Sequence, residues 1–110
     1  MASAQLIEQL KNVEATFQEL TVRLADPDVA TDPAELQRIA KARSSLEATV
    51  QTFHEWQKLT RELKQTEELL REVASDDPEL EAMARAELEQ LRARQEQLEE
   101  KLTLLLLPRD

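Results

Sequence analysis

His54 is the single histidine in 110 residues and cysteine is absent, so metal-ligand and thiol chemistry have few bearers. Helical metal sites use Glu-x-x-His, but Gln51 stands three residues before His54 and that motif fails. His54 therefore reads as a surface or seam-edge residue. Asp26, Asp28 and Asp32 have part of a calcium loop's spacing. Such a loop needs a glycine at its sixth position and a glutamate at its twelfth. Thr31 and Gln37 stand there, so the loop is rejected. The pairs Glu67-Glu68, Asp76-Asp77 and Glu99-Glu100 are adjacent in sequence. On a helix, adjacent side chains diverge by about 100°, so these read as solvated charges or caps and not as an acid–base pair. Ser44 and Ser45 have no base at hand, and a chain without glycine lacks the usual phosphate-cradling loops. Phe53 and Trp56 could form a ligand box, but their place on a helical seam favours packing. These residues predict no catalytic, cofactor-binding or metal site, and they do not single out partner-binding residues.

The elements that would carry these residues are helices. The longest stretch opens Thr31-Asp32-Pro33-Ala34-Glu35 and runs to Ser75 without Gly or Pro. Asp32 suits an N-cap, Pro33 the first helical position, and Glu35 the reciprocal carboxylate of a capping box. Apolar residues recur at Leu36, Ile39, Leu46, Val50, Phe53, Trp56, Leu59, Leu63, Leu70 and Val73. Their steps of three, four and seven are helical spacing. From Val50 to Leu59 the steps are all threes, which turns the stripe backwards around the helix. The two halves of this helix therefore serve different partner helices. Whether it is continuous through Gln51–Trp56 stays open.

The flanking segments supply the partners. Leu6, Leu10, Val13, Phe17, Leu20 and Leu24 alternate steps of four and three, a heptad seam. Ser3 is a plausible N-cap, and Pro27 disfavours helical geometry in the residue before it. Asp26 to Thr31 reads as a short linker that turns the chain back. Asp76-Asp77-Pro78-Glu79 repeats the stop-and-start chemistry of Asp32-Pro33. The third seam is Leu80, Ala84, Leu88, Leu91, Gln95, Leu98, Leu102 and Leu105, with Gln95 its polar exception. Pro108 ends it and opens an extended connection. The expectation is an all-α, elongated antiparallel bundle of about three long, coiled-coil-like helices near 3–25, 33–74 and 78–105. Residues 1–110 are expected to form a single helical domain.

Composition agrees. Hydrophobic residues make up 41% and charged residues 34%, which marks long packed helices. Fourteen basic and 23 acidic residues leave a net charge of -9, which phosphate backbones repel. Arg38 with Lys41, and Arg92 with Arg94, are hemmed in by acids and read as solvated faces. No direct nucleic-acid binding is expected, and partners should be proteins with basic surfaces. The N-terminus carries no signal-peptide pattern, and Leu104–Leu107 is too short to span a bilayer. A cytoplasmic chain without membrane contact is expected.

Several runs add a resemblance: Phe53-His54-Glu55-Trp56-Gln57, Glu67-Glu68-Leu69-Leu70, Asp77-Pro78-Glu79-Leu80-Glu81-Ala82-Met83-Ala84 and Leu104-Leu105-Leu106-Leu107-Pro108-Arg109-Asp110. Together they resemble the N-terminal domain of bacterial class I peptide chain release factors. The last run points to the type that reads UAA and UAG. The resemblance implies an accessory domain in translation termination, a step of protein biosynthesis. It implies ribosome association near the stalk base, and contacts with the GTPase release factor and the release-factor glutamine methyltransferase. The family's codon-reading tripeptide and Gly-Gly-Gln loop have no counterpart here, so none of its decoding or catalytic residues transfers. The expectation is therefore a non-enzymatic contact domain without cofactor. The alternative is a free-standing acidic coiled-coil scaffold or adaptor.

Overall fold

A computed structural model of the chain describes residues 2–73 and 76–108. Four helices follow one another: α1 Ala4–Leu24, α2 Pro27–Ala30, α3 Pro33–Val73 and α4 Pro78–Leu105. Three are long and stand where the seams place them. The expected last residue of the middle helix, Ala74, and the terminal pair Arg109-Asp110 lie outside the described residues.

Side-chain caps fix where the helices start. Ser3 Oγ accepts from the Leu6 amide at 3.1 Å. Asp32 Oδ1 accepts from the Glu35 amide at 3.3 Å, and Asp77 Oδ1 from the Leu80 amide at 3.2 Å. Each satisfies one of the amides that a helix start leaves without an internal partner.

Two local expectations are corrected. Asp26 to Thr31 is not a plain linker: Asp26 Oδ1 accepts from the Asp28 amide at 3.0 Å and Pro27 opens the single turn of α2. That turn buries Val29, which is 8% exposed. Asp-Pro thus starts three helices and not two. The capping box at Asp32 is half formed. The Asp32 amide already donates to the Val29 carbonyl at 3.0 Å, so it does not need the Glu35 carboxylate. Glu35 turns to Arg23 and Arg38 instead.

α3 is continuous through Gln51–Trp56. Its 41 residues span about 60 Å at 1.5 Å per residue, close to the 65 Å long axis of the molecule. The radius of gyration is 19.4 Å, against about 13 Å for a compact domain of this length. The core is therefore a seam along one rod.

The rotating stripe does what its spacing predicts. α1 lies antiparallel on the first half of α3, with the Arg43 guanidinium 4.4 Å from the Phe17 ring centre and Arg43 Nε donating to Thr21 Oγ1 at 2.7 Å. α4 lies antiparallel on the second half. Arg94 donates to Glu55 at 2.7 Å and Gln95 Nε2 to Thr60 Oγ1 at 3.2 Å. At mid-length both partners meet. Leu10 of α1, Phe53 and Trp56 of α3, and Leu98 and Leu102 of α4 form one buried cluster. Burying each such side chain contributes roughly 1.5–3 kcal/mol. Thr49, Thr52 and Thr66 are also buried. Thr52 and Thr66 donate to the carbonyls of Ala48 and Glu62 one turn back, which satisfies their hydroxyls inside the helix.

Candidate functional site

Every side chain with chemical potential is engaged in holding helices together or lies open to solvent. His54 is exposed on α3 and its Nε2 meets Glu14 Oε2 of α1, a bond between helices at the seam edge. Among the described residues no group of three or more His, Asp or Glu could hold a metal ion. Ser45 Oγ donates to the Ala42 carbonyl at 2.7 Å, and Ser44 is exposed. Phe53 and Trp56 stack at 6.0 Å between ring centres and 16° between planes, inside the central cluster. Their space is filled by leucines, so they form packing and not a ligand box.

The acidic pairs divide. Asp77 is a cap, as expected. Glu99 is half-buried and accepts from Trp56 Nε1 at 3.0 Å, so it is more than a solvated charge. Half-buried Glu67 lies 4.0 Å from both Arg71 and Arg92, which ties α3 to α4. A residue's place in the heptad marks which face it takes, but a glutamate beside a seam gives no sign that a tryptophan across it needs an acceptor.

Arg38, Arg92 and Arg94 of the basic pairs are likewise spent within the fold, while Lys41 is exposed. Arg94 binds Glu55 and Gln97, and Arg92 reaches Glu67. Arg38 Nε donates to Glu35 Oε2 at 3.1 Å, while Arg23 reaches Glu35 Oε1 at 3.1 Å. The Arg38 hydrogen bond, helped by its charge and that of Arg23, holds the Glu35 carboxyl below the ordinary glutamate value. The same bond raises the Arg38 guanidinium. Exposed Arg38 and half-buried Glu35 belong to a surface network, and neither lines one of the hollows described below.

What remains is surface. One groove of about 730 Å³ runs between the start of α1 and the last turns of α4. Its walls are Ala2, Ser3 and Leu6 on one side and Glu96, Glu99, Glu100, Thr103 and Leu104 on the other. A smaller hollow of about 380 Å³ at the far end of the rod is lined by Leu69, Leu80, Met83 and Glu87, with Met83 68% exposed. Among the described residues no helix is long and apolar enough to cross a membrane.

Comparison with known proteins gives the family. Residues 13–110 match the PCRF domain family. The chain is 39% identical over 110 residues to peptide chain release factor 1 of Anaeromyxobacter sp. (strain Fw109-5), covering 100% of this chain and 29% of the relative. It is 40% identical over 105 residues to peptide chain release factor 1 of Brevibacillus brevis (strain 47), covering 96% of this chain and 29% of the relative. The same-named protein of Streptococcus pyogenes serotype M5 (strain Manfredo) is 37% identical over 105 residues, again 96% and 29%. The chain thus spans about 29% of the length of these curated relatives. No solved structure matches it at a significant level.

Proposed function

The chain belongs to the PCRF domain family, and on that premise we propose that it is a single helical accessory domain of a translation termination factor, one that makes protein contacts and performs no chemistry. The observation that carries this reading is similarity over the whole chain to one part of peptide chain release factor 1, together with a sequence that has no glycine for a Gly-Gly-Gln loop. The side chains able to do chemistry are engaged in caps, ion pairs and packing, which supports the second half of the proposal.

In this reading the rod is a lever. Its 65 Å length reaches from the rest of the factor to the ribosomal stalk base, the GTPase release factor or the glutamine methyltransferase, while other domains read the codon and trigger release. Contact through an acidic surface governs encounter rate and salt dependence more than intrinsic chemistry. The test is deletion of residues 1–105 from a factor that carries this chain. Release by saturating factor should stay within about twofold, while coupling to the GTPase factor or methylation of the factor should fall. Loss of release with the remaining domains folded, and with partner coupling unchanged, would refute the proposal.

A further inference from the structure

We infer that the groove between the start of α1 and the last turns of α4 is a docking site for a basic amphipathic helix of a partner protein. This rests on the reading of the chain as a protein-contact domain and names where contact is made and with what chemistry.

The groove exists because of how the two outer helices overlap. Both run antiparallel to α3, so they run in the same direction, and the first turns of α1 lie beside the last turns of α4. Two neighbouring helices with the same heading leave a furrow between them on the side away from α3. A third helix packs naturally into such a furrow.

Chemistry selects that helix. Glu96, Glu100 and Leu104 stand four residues apart, so they line one stripe of α4 and all three face the groove. Like charges at that spacing oppose helix formation, and neither Glu96 nor Glu100 has a salt-bridge partner among the described residues. The positive end of the α1 dipole, at Ser3 on the rim, offsets part of their charge. It amounts to about half a unit, so the groove stays negative. Leu104 is 67% exposed one turn beyond the acids, and Leu6 and Ala2 form the apolar wall opposite. The complementary surface is a helix with two Lys or Arg side chains one turn apart and a Leu or Phe a further turn along. A second copy of this chain is a poor occupant, since the copies carry -9 each.

The hollow around Met83 at the far end of the rod is a weaker candidate. Glu87 is its single charged side chain and its apolar lining selects no particular partner.

The test uses the 110-residue chain, labelled for NMR, and a synthetic 18-residue Lys/Leu amphipathic helical peptide. Shifts should concentrate at Leu6, Thr103, Leu104 and the amides of Glu96–Glu100. The charge reversal Glu96→Lys with Glu100→Lys should weaken binding at least tenfold, and Leu104→Asn at least threefold. All three positions are solvent-exposed, so these variants should keep the wild-type melting curve. A control reversal, Glu62→Lys with Glu68→Lys on the outer face of α3, should change affinity less than twofold. The inference is overturned by no binding at millimolar peptide, by shifts centred on Met83, by equal losses from both reversals, or by a groove that proves to be the contact of a self-associated dimer. Domain deletion that still weakens partner coupling, alongside groove variants that bind peptide like wild type, would sink the groove and leave the reading of the chain standing.

Discussion

The Trp56 indole donates to Glu99 Oε2 across 3.0 Å, from the middle of α3 to the last third of α4. The ring itself lies in the central cluster, 8% exposed, against Phe53 and beneath Leu98 and Leu102. One side chain thus fills the crossover and pins α4 at a fixed height. Trp56→Ala should cost roughly 3–5 kcal/mol, as large aromatic deletions in cores do. Trp56→Phe keeps much of the apolar contact and loses the N–H, so it should cost about 1–2 kcal/mol. Urea melts read both. Trp56 is also the sole tryptophan, so its emission reports opening of the crossover directly. A loss below about 1 kcal/mol for the alanine variant would place Trp56 outside the core.

Gln95 donates to Thr60 Oγ1 at 3.2 Å, a half-buried polar pair within the α3–α4 seam. Leucine at position 95 would extend the apolar seam. Thr60 could then donate to the carbonyl one turn back, as Thr52 and Thr66 already do. Gln95→Leu should therefore be neutral or stabilising by up to about 1 kcal/mol. A urea midpoint lowered by the equivalent of more than about 1 kcal/mol would show that the Gln95–Thr60 bond itself stabilises the register.

Glu35 makes the α1–α3 end of the fold sensitive to acid. Its carboxyl is held below the ordinary glutamate value, first by the Arg38 hydrogen bond and then by the charges of Arg38 and Arg23. A depressed carboxyl stabilises the fold above its unfolded-state value, and that contribution is lost as pH falls through the lower folded-state value. Arg38 titrates far above this window and does not alter the sign. Glu35→Gln should therefore melt below wild type at pH 7, and the two curves should converge on acidification past the ordinary glutamate range. The pair is exposed, so molar salt should also narrow the gap. A gap that persists unchanged at acid pH would assign Glu35 a role other than its charge.

Sequence periodicity gave the three long helices because each carries a seam at every turn, and cooperative packing along a seam leaves little choice of face. The triple step Val50-Phe53-Trp56-Leu59 was enough to place α1 and α4 on different halves of α3. The single turn of α2 was hidden because it holds one buried residue, Val29, too few for a period. The role of Glu99 was hidden for a different reason. Which acid meets Trp56 depends on the axial stagger of α4 along α3, and a heptad pattern fixes the face but not the stagger. The groove is two steps removed again, since it depends on the overlap of α1 with α4 and no periodic feature of either helix encodes that overlap.

The central cluster makes a claim about cooperativity. Leu10 comes from α1 and Leu98 from α4, yet both are closed off in the same cluster around Phe53. Ile39 of α3 and Leu88 of α4 are both buried but lie towards opposite ends of the rod. Removing one methylene from any of the four costs about 1 kcal/mol. Leu10→Val and Leu98→Val share neighbours, so a double-mutant cycle should give a coupling of about 0.5 kcal/mol or more. Ile39→Val and Leu88→Val share none and should add within about 0.5 kcal/mol. If the cluster welds the two helix pairs, far-UV circular dichroism and Trp56 emission should also trace one urea transition. Additive behaviour at Leu10 and Leu98, or two separate transitions, would mean that α3 carries two independent hairpins and transmits no force from one end of the rod to the other.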